Sequence, residues 1–265
     1  MMKKMISPII LGIGLILLYC PIVILMVYSF TSSTTIGAIR GFSLHNYVTL
    51  FTTDELKSMI LGTLLLALGS SILATILGTL GAIGSFYSSR NMRGFINNVN
   101  QLPVVNADVV TGFSLCILMI IVMGIDKNTY IPLVVGHTVL SAPFVYLSVL
   151  PKLKSMDPYY YEAALDLGAT PFQALIKVIV PAISSGIVSG FFLAVTLSLD
   201  DYFIATYTKP ATFDTISTYV VNATKGSQTE IKTALWALST VMFVVVVAVT
   251  LLANRPSKKE GNGDV

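Results

Sequence analysis

The sequence predicts an all-α integral membrane protein with six transmembrane helices and a cytoplasmic helix-turn-helix elbow between the fourth and fifth. Three observations predict it. Of 265 residues, 54% are hydrophobic and only 11% are charged, against roughly 25% charged in an ordinary soluble domain. The apolar residues fall in long runs that one water-solvated core could not absorb. Those runs lack the period-2 alternation and the roughly ten-residue length of barrel strands, so they read as helices. Six helices of about 20 residues occupy about 120 residues and leave short loops, with no room for a separate catalytic domain.

The elements follow in order. Lys3 and Lys4 precede an apolar run over residues 8–30, long enough to cross a hydrocarbon core of about 30 Å. It is longer than a signal-peptide core, and no small-x-small cleavage site follows it. Leu17, Leu18 and Tyr19 before Cys20 put a bulky residue where a lipoprotein signal wants a small one. An uncleaved first span is expected. Further spans are expected over residues 59–86, 102–125, 130–150, 182–204 and 234–253. Gly78, Gly81 and Gly84 recur every three residues in the second, and Gly186 and Gly190 form GxxxG in the fifth, a pattern of close helix packing. Cys20 and Cys116 lie in apolar runs and form neither a disulfide framework nor a metal-ligand spacing.

Lys and Arg are retained on the cytoplasmic side. With both termini inside, Lys3, Lys4, Arg90, Arg93, Lys152, Lys154, Lys177, Arg255, Lys258 and Lys259 face the cytoplasm. Arg40, Lys57, Lys127, Lys209, Lys225 and Lys232 are left outside, a split of ten to six. By compartment the net charge is +5 inside and +1 outside, with −3 from Asp108, Asp200 and Asp201 in the spans, which restores the overall +3. The basic balance is therefore an orientation signal. It implies no nucleic-acid partner, since no basic stripe with interleaved aromatics occurs. Residues 1–254 form one transmembrane domain on this reading, and 255–265 a polar, disordered cytoplasmic tail.

The loop 151–181 is too polar to insert and too patterned to be a linker. Asp157 suits a helix N-cap and Pro158 the first helical position. A short helix is expected from Pro158 to about Leu167, stopped by Gly168, which adopts the left-handed conformation without penalty. Thr170 and Pro171 repeat the cap-then-proline signal and start a second helix from Phe172 to about Val180. Pro181 then turns the chain toward the fifth span. Tyr159, Tyr160 and Tyr161 beside Ala163 and Ala164 make an aromatic end next to a small-residue patch. Composition leaves two readings open: a helix built for a partner's groove, or an elbow packed on its own bundle.

Glu162, Ala163 and Ala164, then Gly168 after three residues and Pro181 at the end, resemble the EAA motif of ABC-importer permeases. Nine residues separate Gly168 from Val178, as the pattern requires; Val178 and Val180 stand where it has isoleucine and leucine. The resemblance implies that Tyr161, Glu162, Ala163, Ala164, Asp166, Gly168 and Pro181 form a coupling helix that docks into a cytoplasmic ABC ATPase. It also implies a bacterial cytoplasmic-membrane location, a paired ATPase, a second homologous permease subunit and an extracytoplasmic binding protein. ATP and Mg would be bound by the ATPase and no cofactor by this chain. Consistent with that, Lys57-Ser58 and Lys232-Thr233 follow Leu56 and Ile231, so neither has the glycine of a P-loop.

Charged groups inside spans cost about 2.5 to 3.5 kcal/mol near a helix centre, which makes Asp108, Asp200 and Asp201 candidates for a substrate path. No Lys or Arg stands inside the expected spans to pair with them, so the path suits a cation. Counting along the helices sets solvated interface positions against this: Asp108 is about 10 Å past Gln101, and Asp200 about 27 Å beyond Ala182. Tyr202, like Tyr207 and Trp236, fits an aromatic belt, and its ring face also suits an ammonium group. His137 reads as a hydrogen-bonded packing residue. LSLDD at 197–201 and FSLHNY at 42–47 resemble the PotC-type permeases of spermidine/putrescine importers, which implies a polyamine cargo; related branches carry ferric iron or thiamine. The other classes are an ion-gradient-driven secondary transporter, an intramembrane aspartyl protease and a non-transporting scaffold. The first leaves the EAA elbow unexplained. For the protease, Asp200 and Asp201 point about 100° apart on one helix, a poor dyad, leaving Asp108 with Asp200 as the candidate pair.

Overall fold

Backbone polar groups in hydrocarbon have no water to bond with, so the chain satisfies them within helices. The computed structural model describes residues 2–32, 41–225 and 229–253, with side chains over 11–32, 41–223 and 233–248. Arg40 and the expected tail lie outside the described residues, as do the side chains of Lys3, Lys4, Lys225, Glu230 and Lys232. Among the described residues the helices are α1 (Met2–Ser29), α2 (His45–Thr52), α3 (Asp54–Tyr87), α4 (Arg90–Val105), α5 (Asp108–Cys116), α6 (Ile131–Ser155), α7 (Tyr159–Asp166), α8 (Pro171–Ala174), α9 (Val180–Ala182), α10 (Ser184–Asp200), α11 (Phe203–Thr208), α12 (Ile216–Lys225) and α13 (Thr229–Ala253). Two π-helical segments, Ile117–Val122 and Leu175–Ile179, continue α5 and join α8 to α9. Among the described residues the one isolated extended pairing joins Thr31 and Phe42.

Three helices are long and apolar enough to cross a membrane: α1, α3 and α6. Two bent pairs also pass, α4 with α5 and its π-helical continuation at 104°, and Pro171–Ala182 with α10 at 71°. In α13 the residues described with side chains, Thr233–Ala248, are apolar but fewer than eighteen. The structure thus carries the all-α membrane class but moves two expected span boundaries. The run expected over 102–125 is not one straight helix. It breaks at Asn106 and Ala107, both extended, because Asn106 caps α4 through the carbonyl of Leu102 and its side chain donates to Thr111 Oγ1 (3.2 Å). The fifth run does not continue to residue 204: α10 stops at Asp200, Asp201 is extended, and a separate α11 follows. Pro181 lies within a helical turn, and the bend falls two residues later at Ile183.

The chain divides into two compact units. The first is Met1–Ile60 with Tyr219–Ala248. Here Tyr28 meets Trp236 edge-on with centroids 5.5 Å apart. Asn46, buried, donates to the carbonyls of Ser29 (3.1 Å) and Thr31 (3.2 Å) and so ties α2 to the end of α1. Most described α1 side chains are exposed, as a lipid-facing helix allows.

The second unit, Leu61–Thr218 with Val249–Val265, holds the larger core. Between helices in lipid there is little hydrophobic driving force, so association rests on close backbone approach and dispersion. The glycines supply that approach. A Cβ on Gly78 would lie 2.7 Å from the carbonyl oxygen of Ala142 and from Val145 Cβ. On Gly186 it would meet Lys152 Cγ at 2.7 Å and the Ser148 carbonyl oxygen at 3.0 Å, and on Gly190 Val145 Cγ1 at 3.1 Å. Gly84, by contrast, has nothing within 4 Å and takes no part in this packing. α3 and α10 therefore both close on α6, around Val145, Tyr146, Val149 and Leu153. Ile179 and Ile183 join this cluster and anchor the elbow to it.

Candidate functional site

Two sites lie at opposite ends of α6, since His137 and Leu153 are separated by about 24 Å along a helix. The first is the elbow. Asp157 Oδ1 accepts the backbone N–H of Tyr159 (3.0 Å), one residue beyond the expected start, and α7 runs to Asp166. Its end is a Schellman turn: the N–H of Ala169 donates to the carbonyl of Ala164 (3.0 Å) and that of Gly168 to Leu165 (2.9 Å). Gly168 has φ +87°, where an L side chain is strained whatever space surrounds it. Thr170 then opens α8 with a reciprocal capping box, Gln173 N–H to Thr170 Oγ1 (3.3 Å) and Thr170 N–H to Gln173 Oε1 (3.0 Å). The N–H groups of Gly168, Ala169 and Thr170 at the corner thus all have local partners.

Around that corner the EAA residues divide. Ala164 is buried, and Tyr161 is half-buried with its ring 5.2 Å from that of Tyr87 at the end of α3. Glu162, Ala163, Asp166, Gly168 and Pro181 are exposed. So are two apolar side chains that the sequence reading passed over: Leu167, 90% exposed, and Phe172, 72% exposed, with Tyr159 and Tyr160 nearby in the chain. The signal was present, because each is a large apolar residue beside a helix stop or start in an otherwise polar loop. The helix therefore has one face packed on the bundle and one left uncovered.

The second site is the break between α10 and α11. Asp200 is exposed, Asp201 is buried at 8% exposure, and Tyr202 is half-buried with its ring against Phe203 (5.2 Å). Asp108 is exposed in the first turn of α5, where a negative charge faces unpaired helix N–H groups. α5 packs on α11, and Asp108 and Asp200 both lie within electrostatic range of Asp201. The three carboxylates expected from sequence are thus brought together, but only two are open. The Asp201 carboxylate is closed in by backbone. Its Oδ1 accepts the N–H of Ile204 (3.3 Å) and its Oδ2 that of Ala205 (2.8 Å), so it caps α11, an alternative that a short acidic side chain offers to continuing the helix.

A polar chain that sequence alone did not assemble runs behind it. His137, wholly buried on α6, places Nε2 3.5 Å from Asp201 Oδ2 and Nδ1 2.7 Å from Ser198 Oγ. Ser198 is in turn 3.2 Å from Ser70 on α3. The expected packing role of His137 needed no partner named; the structure supplies two. α11 itself is held sterically: Ile204 sits between two glycines, its Cγ2 2.6 Å from where a Cβ on Gly136 would stand and its Cα 3.0 Å from one on Gly112. Beside the α4–α5 bend a cavity of about 600 Å³ is lined by Leu102, Val105, Leu118 and Val139, with Asn106, Thr111 and Ser114 as its polar groups. Among the described residues no group of three or more His, Cys, Asp or Glu could hold a metal ion.

Long apolar helices, two of them broken at polar residues, define an all-α membrane protein. The chain belongs to the family of binding-protein-dependent transport system inner membrane components, whose model matches residues 92–257. It is 30% identical over 249 residues to the spermidine/putrescine transport system permease protein PotC of Escherichia coli (strain K12), covering 94% of this chain and 93% of that protein. It is 34% identical over 206 residues to the putrescine transport system permease protein PotI of the same strain, covering 75% and 73%. Its fold matches a chain of a bacterial ABC transporter that imports the acidic polysaccharide alginate, with TM-score 0.72 and 22% identity over 97% of this chain and 96% of that one. The family and these relatives make the chain an ABC-importer permease, a transport subunit.

Proposed function

We propose that this chain forms part of the path for a small polycation of the polyamine class, in an importer driven by ATP hydrolysis in a separate subunit. The observation that carries the reading is the pair of open carboxylates, Asp108 and Asp200, in a chain similar along 94% of its length to a spermidine/putrescine permease. Two exposed carboxylates suit a flexible cation with an ammonium group at each end, and the Tyr202 ring adds a cation–π face. The apolar wall of the nearby cavity suits the methylene spacer between the ammonium groups. At the other end of α6, the uncovered Tyr159, Leu167 and Phe172 are the surface offered to the ATPase, with Glu162 and Ala163 beside them.

On this reading the chain crosses the membrane six times, counting each bent pair as one span and α13 as the last. Both termini face the cytoplasm, so the elbow meets the ATPase there. A second homologous permease completes the path and an extracytoplasmic binding protein delivers the cargo. ATP and Mg belong to the ATPase dimer, and this chain binds no cofactor. The test is reconstitution with the ATPase, second permease and binding protein of its importer, followed by uptake of labelled putrescine, spermidine, thiamine and ferric iron. ATP-dependent uptake of the polyamines alone is expected. Uptake that survives omission of the ATPase and follows an ion gradient would overturn the energetics, and preference for another solute would overturn the cargo.

A further inference from the structure

A histidine on α6 stands behind the carboxylate site. Asp201 is the most confined of the three carboxylates. It is buried, its two oxygens are taken by the N–H groups of Ile204 and Ala205, and Asp108 and Asp200 repel it. Two backbone donors alone leave such a group short of partners, since an ionised carboxylate accepts about four hydrogen bonds. Among the described residues the basic side chain within 4 Å is His137, at 3.5 Å from Oδ2. The imidazole is itself fully buried, has no conventional partner at Nε2, and is oriented from behind by the 2.7 Å contact with Ser198.

Gly136, next to His137, receives Ile204, and Thr208 Oγ1 would be 3.5 Å from a Cβ there. Two adjacent residues of α6 therefore lie against α11 and its cap: Gly136 receives Ile204, and His137 Nε2 stands 3.5 Å from Asp201 Oδ2. Because Asp201 is covalently between Asp200 and Tyr202, whatever holds Asp201 also sets where those two residues point.

We propose that His137 is a positioning residue: by holding Asp201 it pins α11 against α5 and α6 and so aims Asp200 and Tyr202 at the cargo. The last step rests on the polyamine-path reading above; the pinning of α11 does not. The Ser70–Ser198–His137 chain is then the brace that runs from α3 through α10 to α6 and so to the break.

The two ring nitrogens can be separated by mutation. His137→Gln keeps a polar group at the reach of Nε2, and His137→Asn at the reach of Nδ1. In the assembled transporter, with Cys20→Ala and Cys116→Ala in the background, Thr208→Cys reports on α11, because Thr208 is fully buried. The readout is its rate of labelling by N-ethylmaleimide, alongside the putrescine concentration that half-saturates uptake. His137→Gln is expected to keep the cysteine protected, and His137→Asn to raise its labelling rate at least tenfold. Half-saturation should rise with Asn and not with Gln. Equal protection in both variants, equal exposure in both, or protection by Asn alone would overturn the proposal. Protection that follows the expected order while half-saturation stays flat would keep α11 pinned by His137 but sever it from the cargo, and that outcome would count against the polyamine path.

Discussion

Gly168 is where the backbone makes one demand and the surroundings make none. Its φ of +87° places it in the left-handed region, and the space around an added Cβ is empty to 4 Å. Side-chain size therefore contributes nothing and chirality everything. An L residue there costs about 1–2 kcal/mol, which corresponds to a roughly 5- to 30-fold loss in the population of the observed corner. Gly168→Asn should be mildest, since Asn is enriched in this conformation, and Gly168→Val worst, since β-branched residues are outliers there. Gly168→Ala should fall between them. If the corner transmits ATPase movement, substrate-stimulated ATP hydrolysis and uptake in proteoliposomes should decline in the order Gly, Asn, Ala, Val, while basal hydrolysis by the ATPase persists. The lesion is local, because the Schellman bonds of Ala169 and Gly168 are lost but the capping box at Thr170 is not. Uptake by Gly168→Val equal to that of the unchanged chain would refute the reasoning, and a decline that followed side-chain volume rather than left-handed propensity would refute the cause.

The other predictions are briefer. Asp108→Asn and Asp200→Asn each remove one charge-assisted bond of about 1.5–3 kcal/mol, so half-saturation for putrescine should rise roughly 10- to 100-fold; unchanged kinetics in the Asp200→Asn, Asp201→Asn double variant would end the path account. Gly78→Val forces side-chain atoms against the carbonyl of Ala142 and should destabilise the bundle by about 1–3 kcal/mol. A lower unfolding temperature in detergent checks it, and Gly84→Ala, with open space around it, is the matched variant expected to do no harm. Leu167→Ser with Phe172→Ser should leave that temperature unchanged because both side chains are exposed, yet weaken co-purification of the ATPase; retention of the full complex through high-salt washing would count against the elbow as the docking surface.

Helices and their class were legible because lipid removes the ambiguity that water leaves. A chain with 11% charge and apolar runs of twenty residues has few ways to satisfy its backbone. The elbow was legible for a different reason, since caps, glycine stops and proline starts are local chemistry. Asp157, Gly168 and Thr170 each act within four residues of their own position. The two bends were less legible. Hydropathy averages over Asn106 and over Asp201, whereas a single side chain that bonds nearby backbone or its neighbours ends a helix at that residue.

What the sequence by itself determined, then, is what depends on neighbours in the chain: the apolar helical class, the Gly168 corner, and the presence of three costly carboxylates. Which carboxylates stay open was decided by tertiary structure. Asp200 and Asp201 are identical in type and adjacent in sequence, yet one is exposed and the other is closed in by His137, 64 residues earlier, and by the N–H groups of α11. The glycines divide the same way: Gly78 and Gly84 share a pattern, but only Gly78 meets a partner backbone. The physical reason is common to both cases. The energy of a polar or small residue inside a bundle lies in what faces it across the helix interface, and that facing is set by the rotation and breaks of helices far apart in the chain.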